Sequence, residues 1–296
     1  MVDAVVTENL TKSYRNVTAL ADLTMRVPRG EAFGFLGPNG AGKTTAVKLL
    51  LGLASPTSGK ATVLGKPAGD RQTRSKIGYL PEMFRYQSWM SAHEVLSFHC
   101  GLAGIAKPEA EVERALVTVG LAERAHHRVG TFSKGMQQRL GLGVALLGSP
   151  ELVVLDEPTS ALDPVGRLDV RNIIRDLKNA GTTVFLNSHL LTEVELVCDR
   201  VAMIERGRVI VSGTLKELTG GIGVRIRLTG LDGRVDSLGK WGPLQVEEDW
   251  LSFSDVTSEQ VPALVEELVA MGGRVHAVIP GRRSLEDRFM ELLRDS

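Results

Sequence analysis

The sequence predicts an α/β fold: a largely parallel sheet with crossover helices, followed by a second, smaller α/β domain. Three observations carry this reading. Strand-length apolar runs alternate with helical patterns along the first two thirds of the chain, the arrangement of βαβ units. A glycine-punctuated loop at 37–42 lies between one such run and a helix. Around 213–223 the character changes, with Gly213, Gly220, Gly221 and Gly223 clustered at the start of a period-2 segment.

The elements follow in order. Residues 2–10 and 22–36 alternate or run apolar and read as strands with turns between. A helical pattern extends from Lys43 to about Leu53. Ser91 and Glu94 have the spacing of a capping box ahead of Val95, Leu96 and Phe98, which predicts a helix start. Residues 82–148 read as mostly helical. Leu152 to Leu155 and Thr183 to Asn187 are further strand-length runs. A boundary is expected near 218–222. Beyond it, Val224-Arg225-Ile226-Arg227-Leu228 alternates, Trp250 to Phe253 and Arg274 to Ile279 read as strands, and 258–271 and 284–294 read as helices. A tail of roughly 75 residues suffices for a small α/β domain.

Composition excludes several classes. The 296 residues fit about two domains. The 35 basic residues balance 35 acidic ones, which argues against a general nucleic-acid binder. Two cysteines, Cys100 and Cys198, cannot build a disulfide framework, and their apolar neighbours predict buried thiols. No basic segment followed by an apolar core opens the chain, and no stretch approaches the ~20 apolar residues of a membrane helix. A cytosolic location is the default expectation. The pair His126-His127 lacks a second ligand pair and reads as a solvated helix end.

Gly37-Pro38-Asn39-Gly40-Ala41-Gly42-Lys43-Thr44 fits G-x-x-x-x-G-K-[ST] between an apolar strand and a helix. Glycines let successive N–H groups turn toward phosphate oxygens, and the helix N-terminus adds positive potential. Lys43 is expected to reach the β- and γ-phosphates, and Thr44 to ligate Mg²⁺. Asp156 and Glu157 end the apolar run Leu152-Val153-Val154-Leu155. Downstream of a phosphate loop, such an aspartate holds Mg²⁺ and the adjacent glutamate acts on water.

With these residues in place, the chain resembles the nucleotide-binding subunit of ATP-binding cassette (ABC) transporters over residues 3 to about 218. Thr131-Phe132-Ser133-Lys134-Gly135-Met136-Gln137-Gln138-Arg139-Leu140 is similar to the family signature. Ser160-Ala161-Leu162-Asp163 resembles the D-loop, and His189 after Phe185-Leu186-Asn187-Ser188 resembles the switch histidine. Tyr14 matches the aromatic that stacks on adenine, and Ile77-Gly78-Tyr79-Leu80-Pro81-Glu82 aligns with the Q-loop. Two departures stand out. The signature, usually Leu-Ser-Gly-Gly-Gln, reads Phe-Ser-Lys-Gly-Met. Glu82 occupies the Q-loop glutamine position, where a carboxylate can accept or ligate but cannot donate as an amide does. Similar departures occur in the export-type branch with a separate membrane subunit.

The resemblance implies a P-loop NTPase fold of ABC ATPase type: a nucleotide-binding domain at 1–218, with a helical subdomain at about 82–150, and a small accessory domain at 219–296. It implies ATP and Mg²⁺ as cofactors. Lys43, Glu157 and His189 are the catalytic candidates. The nucleotide contacts are Tyr14, Gly37, Pro38, Asn39, Gly40, Ala41, Gly42, Lys43, Thr44 and Thr45, with Ser133, Gly135 and Asp163 completing the site of a second copy. The metal candidates are Thr44, Asp156 and Glu82. The implied partners are a separate transmembrane permease subunit and a second copy of this chain, with no nucleic acid, at the cytoplasmic face of the membrane. Phe84, Tyr86 and Trp89 either face that permease or pack the helical subdomain; both readings stand. Ser284 with Asp287 fits a helix start near the end of the chain. Two other functions remain in view. One is a soluble ABC ATPase acting on nucleic acid or ribosomes, which the neutral charge and single phosphate loop disfavour. The other is a non-hydrolysing regulatory module, which intact Lys43, Asp156, Glu157 and His189 disfavour.

Overall fold

The computed structural model describes residues 3–160, 162–219, 222–231, 236–257, 259–280 and 284–294. The chain divides into two compact units, Met1–Thr214 and Leu215–Ser296. In the first, β1 (Asp3–Tyr14) and β2 (Val17–Pro28) pair antiparallel. Then come β3 (Ala32–Leu36), α1 (Lys43–Leu50), β4 (Ser58–Val63), β5 (Lys66–Pro67), the single turn α2 (Arg71–Arg74) and β6 (Ile77–Leu80). Three helices follow: α3 (Ala92–Ala103), α4 (Pro108–Thr118) and α5 (Lys134–Ala145). The unit finishes with β7 (Leu152–Asp156), α6 (Pro164–Asn179), β8 (Thr183–Ser188), α7 (Leu191–Val197), β9 (Arg200–Glu205) and β10 (Arg208–Thr214).

Two sheets result, one of order β2-β1-β4-β5 and one of order β10-β9-β3-β8-β7-β6. In the second, β9, β3, β8, β7 and β6 run parallel and β10 joins antiparallel. Strands β3, β7 and β8 are buried along their whole length. That explains their unbroken apolar runs, since a parallel sheet covered on both faces has no polar side. Phe33, Phe35 and Phe185 pack across the β3–β8 seam, at ring separations of 5.9 and 5.6 Å.

The register decides where chemistry can sit. Leu36 pairs with Ser188, Asp156 with Asn187, and Leu80 with Leu155. The carboxyl ends of β3, β8, β7 and β6 therefore fall on one edge, where ligands bind in open α/β sheets.

The segment expected to be mostly helical, 82–148, is helical from Ala92, with α3, α4 and α5 separated by turns. Residues 81–90 form no helix. The capping box at Ser91 is complete: the Ser91 N–H donates to Glu94 Oε2 at 2.7 Å and the Glu94 N–H to Ser91 Oγ at 3.2 Å. Both cysteines are buried and free.

The second unit contains α8 (Leu215–Thr219), β11 (Ile222–Thr229), β12 (Leu244–Glu247), β13 (Trp250–Thr257), α9 (Val261–Ala270), β14 (Arg274–Pro280) and α10 (Leu285–Arg294). Its antiparallel sheet has the order β12-β13-β11-β14. Ile226, Leu251 and Phe253 pack with Leu264 and Leu268 of α9 as its core. The start of α10 is capped by reciprocal Ser284–Asp287 hydrogen bonds of 3.0 and 3.1 Å. Gly220 and Gly221 of the expected boundary, and Ala161 of the D-loop segment, lie outside the described residues.

Candidate active site

The loop 37–42 joins β3 to α1 and is wedged between β2 and β9. A Cβ on Gly37 would lie 2.2 Å from the Ile204 carbonyl oxygen, and one on Gly42 2.3 Å from that of Ala19. Gly42 also has φ 104°, in the left-handed region where glycine alone is unstrained. The close packing fixes the loop, and Gly42 becomes the N-cap of α1 without a capping side chain. The first N–H groups of α1 are thus turned toward the sheet edge with the positive end of the helix behind them. Lys43 is buried. Its Nζ donates to the carbonyl oxygens of Gly37 at 2.7 Å and Pro38 at 3.3 Å, arching over the loop. Burial holds its ammonium below the ordinary lysine range, and the carboxylates of Glu157, Asp156 and Glu82 oppose that shift.

Opposite the loop stand the ends of β7 and β8. Asp156 is buried and pushed upward in pKa by that burial; a hydrogen bond from Asn187 opposes the shift, and the nearby Glu82 and Glu157 charges add to it. Asn187 Nδ2 donates to Asp156 Oδ1. Glu157 follows in a left-handed conformation at φ 51°, and its N–H donates to the Asn187 carbonyl at 2.9 Å. That turn sends its side chain to His189, with Nδ1 2.8 Å from Glu157 Oε2. The Ser188 hydroxyl lies 3.5 Å from the same Oε2.

Together these ends enclose a cavity of about 270 Å³. Of the residues selected from the sequence, Asn39, Gly40, Gly42, Lys43, Thr44 and Thr45 line one wall. Glu82, Asp156, Glu157 and His189 line the other. Gly37, Pro38 and Ala41 do not line the cavity. Among the described residues, no group of three or more His, Cys, Asp or Glu forms a metal cage. The donors on the walls are a hydroxyl and single carboxylates. Such an all-oxygen set fits Mg²⁺, which keeps several waters and takes one or two carboxylates plus phosphate oxygens.

Other selected residues stand apart. Ser133 is the N-cap of α5, exposed, with Oγ accepting from the Met136 N–H at 3.2 Å. Asp163 is the N-cap of α6, accepting from the Gly166 N–H at 2.8 Å. With Gly135 they line a separate cavity of about 340 Å³ that shares no residue with the first. Tyr14 is half exposed at the end of β1, with Lys12 Nζ 4.8 Å above its ring, and does not line the phosphate-loop cavity. The segment 84–90 divides. Phe84 and Tyr86 pack inward, Phe84 against Gly141 of α5 and Tyr86 against His99 of α3, while Trp89 is 67% exposed. His126 stacks on His93 at 5.4 Å.

Two lining residues were not singled out from the sequence, Ala19 and Asn187. Ala19 contributes backbone and left no signal. Asn187 did leave one: it is a polar residue inside a buried apolar run, next to the histidine.

Comparison with known proteins agrees with this geometry. Residues 20–160 match the profile of the ABC transporter family. An ABC transporter ATP-binding protein of Synechocystis sp., sll0415, is 42% identical over 308 residues, spanning 99% of this chain and 85% of the relative. The linearmycin resistance ATP-binding protein LnrL of Bacillus subtilis is 38% identical over 220 residues, covering 73% of this chain and 71% of LnrL. A solved ATP-binding subunit of an ABC transporter superposes with a TM-score of 0.65 at 30% identity, over 73% of this chain and 92% of that one. The protein therefore belongs to the ABC transporter family, as an ATP-binding subunit with the fold and the ATPase activity of an ABC cassette.

Proposed function

We propose that this chain powers an exporter whose membrane-spanning permease is a separate protein, by closing head-to-tail with a second copy around two Mg²⁺–ATP. One observation carries the dimer. Ser133 and Gly135 sit at an exposed helix N-terminus, an anion-favouring place, yet they line no part of the phosphate-loop cavity of their own chain. A second copy related by a two-fold axis would bring each α5 N-terminus to the other's nucleotide, so both sites are composite. Asp163 at the start of α6 would organise that seam, and Tyr14 would stack on the adenine face.

Within each site, phosphoryl transfer needs positioning and charge stabilisation more than covalent chemistry. Lys43 would exchange its carbonyl partners Gly37 and Pro38 for phosphate oxygens. Thr44, Asp156 and Glu82 would hold Mg²⁺, which supplies charge neutralisation across the phosphates. Glu157 accepts the proton of the attacking water, with His189 Nδ1 2.8 Å from its Oε2. The same ring would donate to the terminal phosphate, so His189 links that phosphate to the base.

Three features support the membrane partner and its direction. Among the described residues, no helix is long and apolar enough to cross a membrane. Phe98 and Leu102, one turn apart on α3, are exposed, and the 83–90 segment turns Met83 and Trp89 outward; exposed large apolar side chains of this kind suit an interaction surface. Export is supported by the likeness to an antibiotic-resistance ATP-binding protein. The same reading assigns 1–218 to nucleotide binding and 219–296 to an accessory domain, and places the protein at the cytoplasmic face of the membrane through its permease.

The test is the mass of purified Glu157→Gln protein by light scattering, with and without Mg²⁺–ATP. Monomer without nucleotide and dimer with it is the expected result, and Ser133→Arg added to that variant abolishes the shift. A dimer that persists after Ser133→Arg would rule out this interface.

A further inference from the structure

One buried polar side chain at the site has no explanation in the fold. Asn187 is 1% exposed, on β8, between Phe35 of the phosphate-loop strand and Asp156 of the acidic strand. The other β8 side chains from Val184 to Leu186 are apolar. The main-chain carbonyl that receives the Glu157 N–H would be present whatever the side chain. The amide therefore acts through its own two ends.

Those ends point to different tasks. Nδ2 donates to Asp156 Oδ1. Because a carboxylate only accepts, this contact fixes which way the amide faces. Oδ1 is then turned away from Asp156, and it is buried without a hydrogen-bond partner among the described residues. Asn187 lines the phosphate-loop cavity. Lys43, on the facing wall, already donates to Gly37 and Pro38. Native proteins keep a buried polar atom unsatisfied chiefly where a ligand or water completes it.

We propose that Asn187 is a positioning residue of the cation site. Its Nδ2 holds one oxygen of Asp156 and leaves the other free to ligate Mg²⁺. Its Oδ1 accepts a hydrogen bond from a water that accompanies the cation. This inference rests on the Mg²⁺ reading of Asp156 given above. It matches the general behaviour of metal sites, where groups that orient a ligand carry much of the affinity.

The test uses the full-length protein with Asn187→Leu, close in shape and apolar, and Asn187→Ser, too short to span both tasks. Mg²⁺ is titrated into protein saturated with a fluorescent ATP analogue, and the analogue's affinity is measured separately in EDTA. The expected result is a fall of about 10–100-fold in apparent Mg²⁺ affinity, with the EDTA affinity near the wild-type value. A merely structural asparagine would lower both together, and that pattern overturns the proposal. Asp156→Asn serves as the reference. If it removes the Mg²⁺ response while both Asn187 variants keep the wild-type response, the positioning role is wrong and the Mg²⁺ reading survives. If Asp156→Asn leaves the response intact, the Mg²⁺ reading fails and takes the role of Asn187 with it. Should Asn187→Leu fail to fold, Asn187→Ser decides by the same criterion.

Discussion

Glu157→Gln removes one ionisable oxygen and leaves the surroundings almost unchanged. Glutamine has the same length, and it can keep the 2.8 Å approach to His189 Nδ1. The Glu157 N–H bond to the Asn187 carbonyl, 2.9 Å, belongs to the main chain and stays. The left-handed φ of 51° burdens both side chains alike. What disappears is the base. A positioned general base contributes about 10²–10⁴-fold to rate, which at about 1.4 kcal/mol per decade is about 3–5 kcal/mol of barrier. Binding should move the other way. The lost charge relieves repulsion on Asp156 and removes a negative group from the wall that faces the polyphosphate. We therefore expect kcat for phosphate release to fall about 100- to 10,000-fold, with the Kd of a fluorescent ATP analogue equal to or tighter than wild type. Turnover within about tenfold of wild type would refute Glu157 as the base. So would a loss of affinity parallel to the loss of rate, which would mark a structural residue.

Three further outcomes follow from the same geometry. Gly135→Ala should stabilise the isolated chain by about 0.5–1 kcal/mol, because the new Cβ sits in a helix and meets nothing closer than 4.0 Å; melting curves should show this while ATP-driven dimerisation weakens. Gly37→Ala should lower the melting temperature by several degrees, since its Cβ would meet the Ile204 carbonyl oxygen at 2.2 Å and overpacking costs about 1–3 kcal/mol. Asp156→Asn should stabilise the nucleotide-free protein at about pH 7 and lose that advantage toward pH 4. The sign follows from the raised folded-state pKa of Asp156: in the window between its unfolded and folded values the native state holds the extra proton, so the wild type loses stability as pH rises through it. A benefit equal at both pH values would contradict this.

Much of the site was legible because its chemistry is encoded locally. The phosphate loop, the acids ending β7 and the histidine ending β8 each lie within a few residues of an apolar run, and the run fixes both burial and strand direction. The α3 cap was legible for the same reason, since Ser91 and Glu94 satisfy each other's backbone. The sheet of β1, β2, β4 and β5 was less so. Its strands are partly exposed, and the pairing of Val5 with Val63 is a long-range contact that no local pattern announces. Strand β9 was missed although Val201 to Ile204 is buried and apolar, because so short a run reads equally as a buried helix segment. The mostly helical reading of 82–148 extends too far at its start, because Phe84 and Tyr86 find their partners on α5 and α3 instead of on a shared helix face. The left-handed turn at Glu157 was also invisible, although it is what aims the side chain at His189 and away from Asp156.

Charge explains why the cavity should take nucleotide and cation together. Glu82, Asp156 and Glu157 face Lys43 across it, so the walls set three carboxyl groups against one lysine. A polyphosphate alone would meet the field of those carboxylates, and Lys43, held down by burial and tied to the loop carbonyls, offsets only part of it. A divalent cation alone would meet carboxylates but lack the phosphate oxygens that complete its shell. Each therefore lowers the cost of the other, and the coupling should be strongest at Lys43, Asp156 and Glu157, which are buried and so weakly screened. The same count explains the tolerance of Glu82 where the family usually has glutamine. On the proposed reading, an extra carboxylate at Glu82 would disfavour ATP in the absence of the cation and favour the cation, so binding is expected to depend more sharply on Mg²⁺.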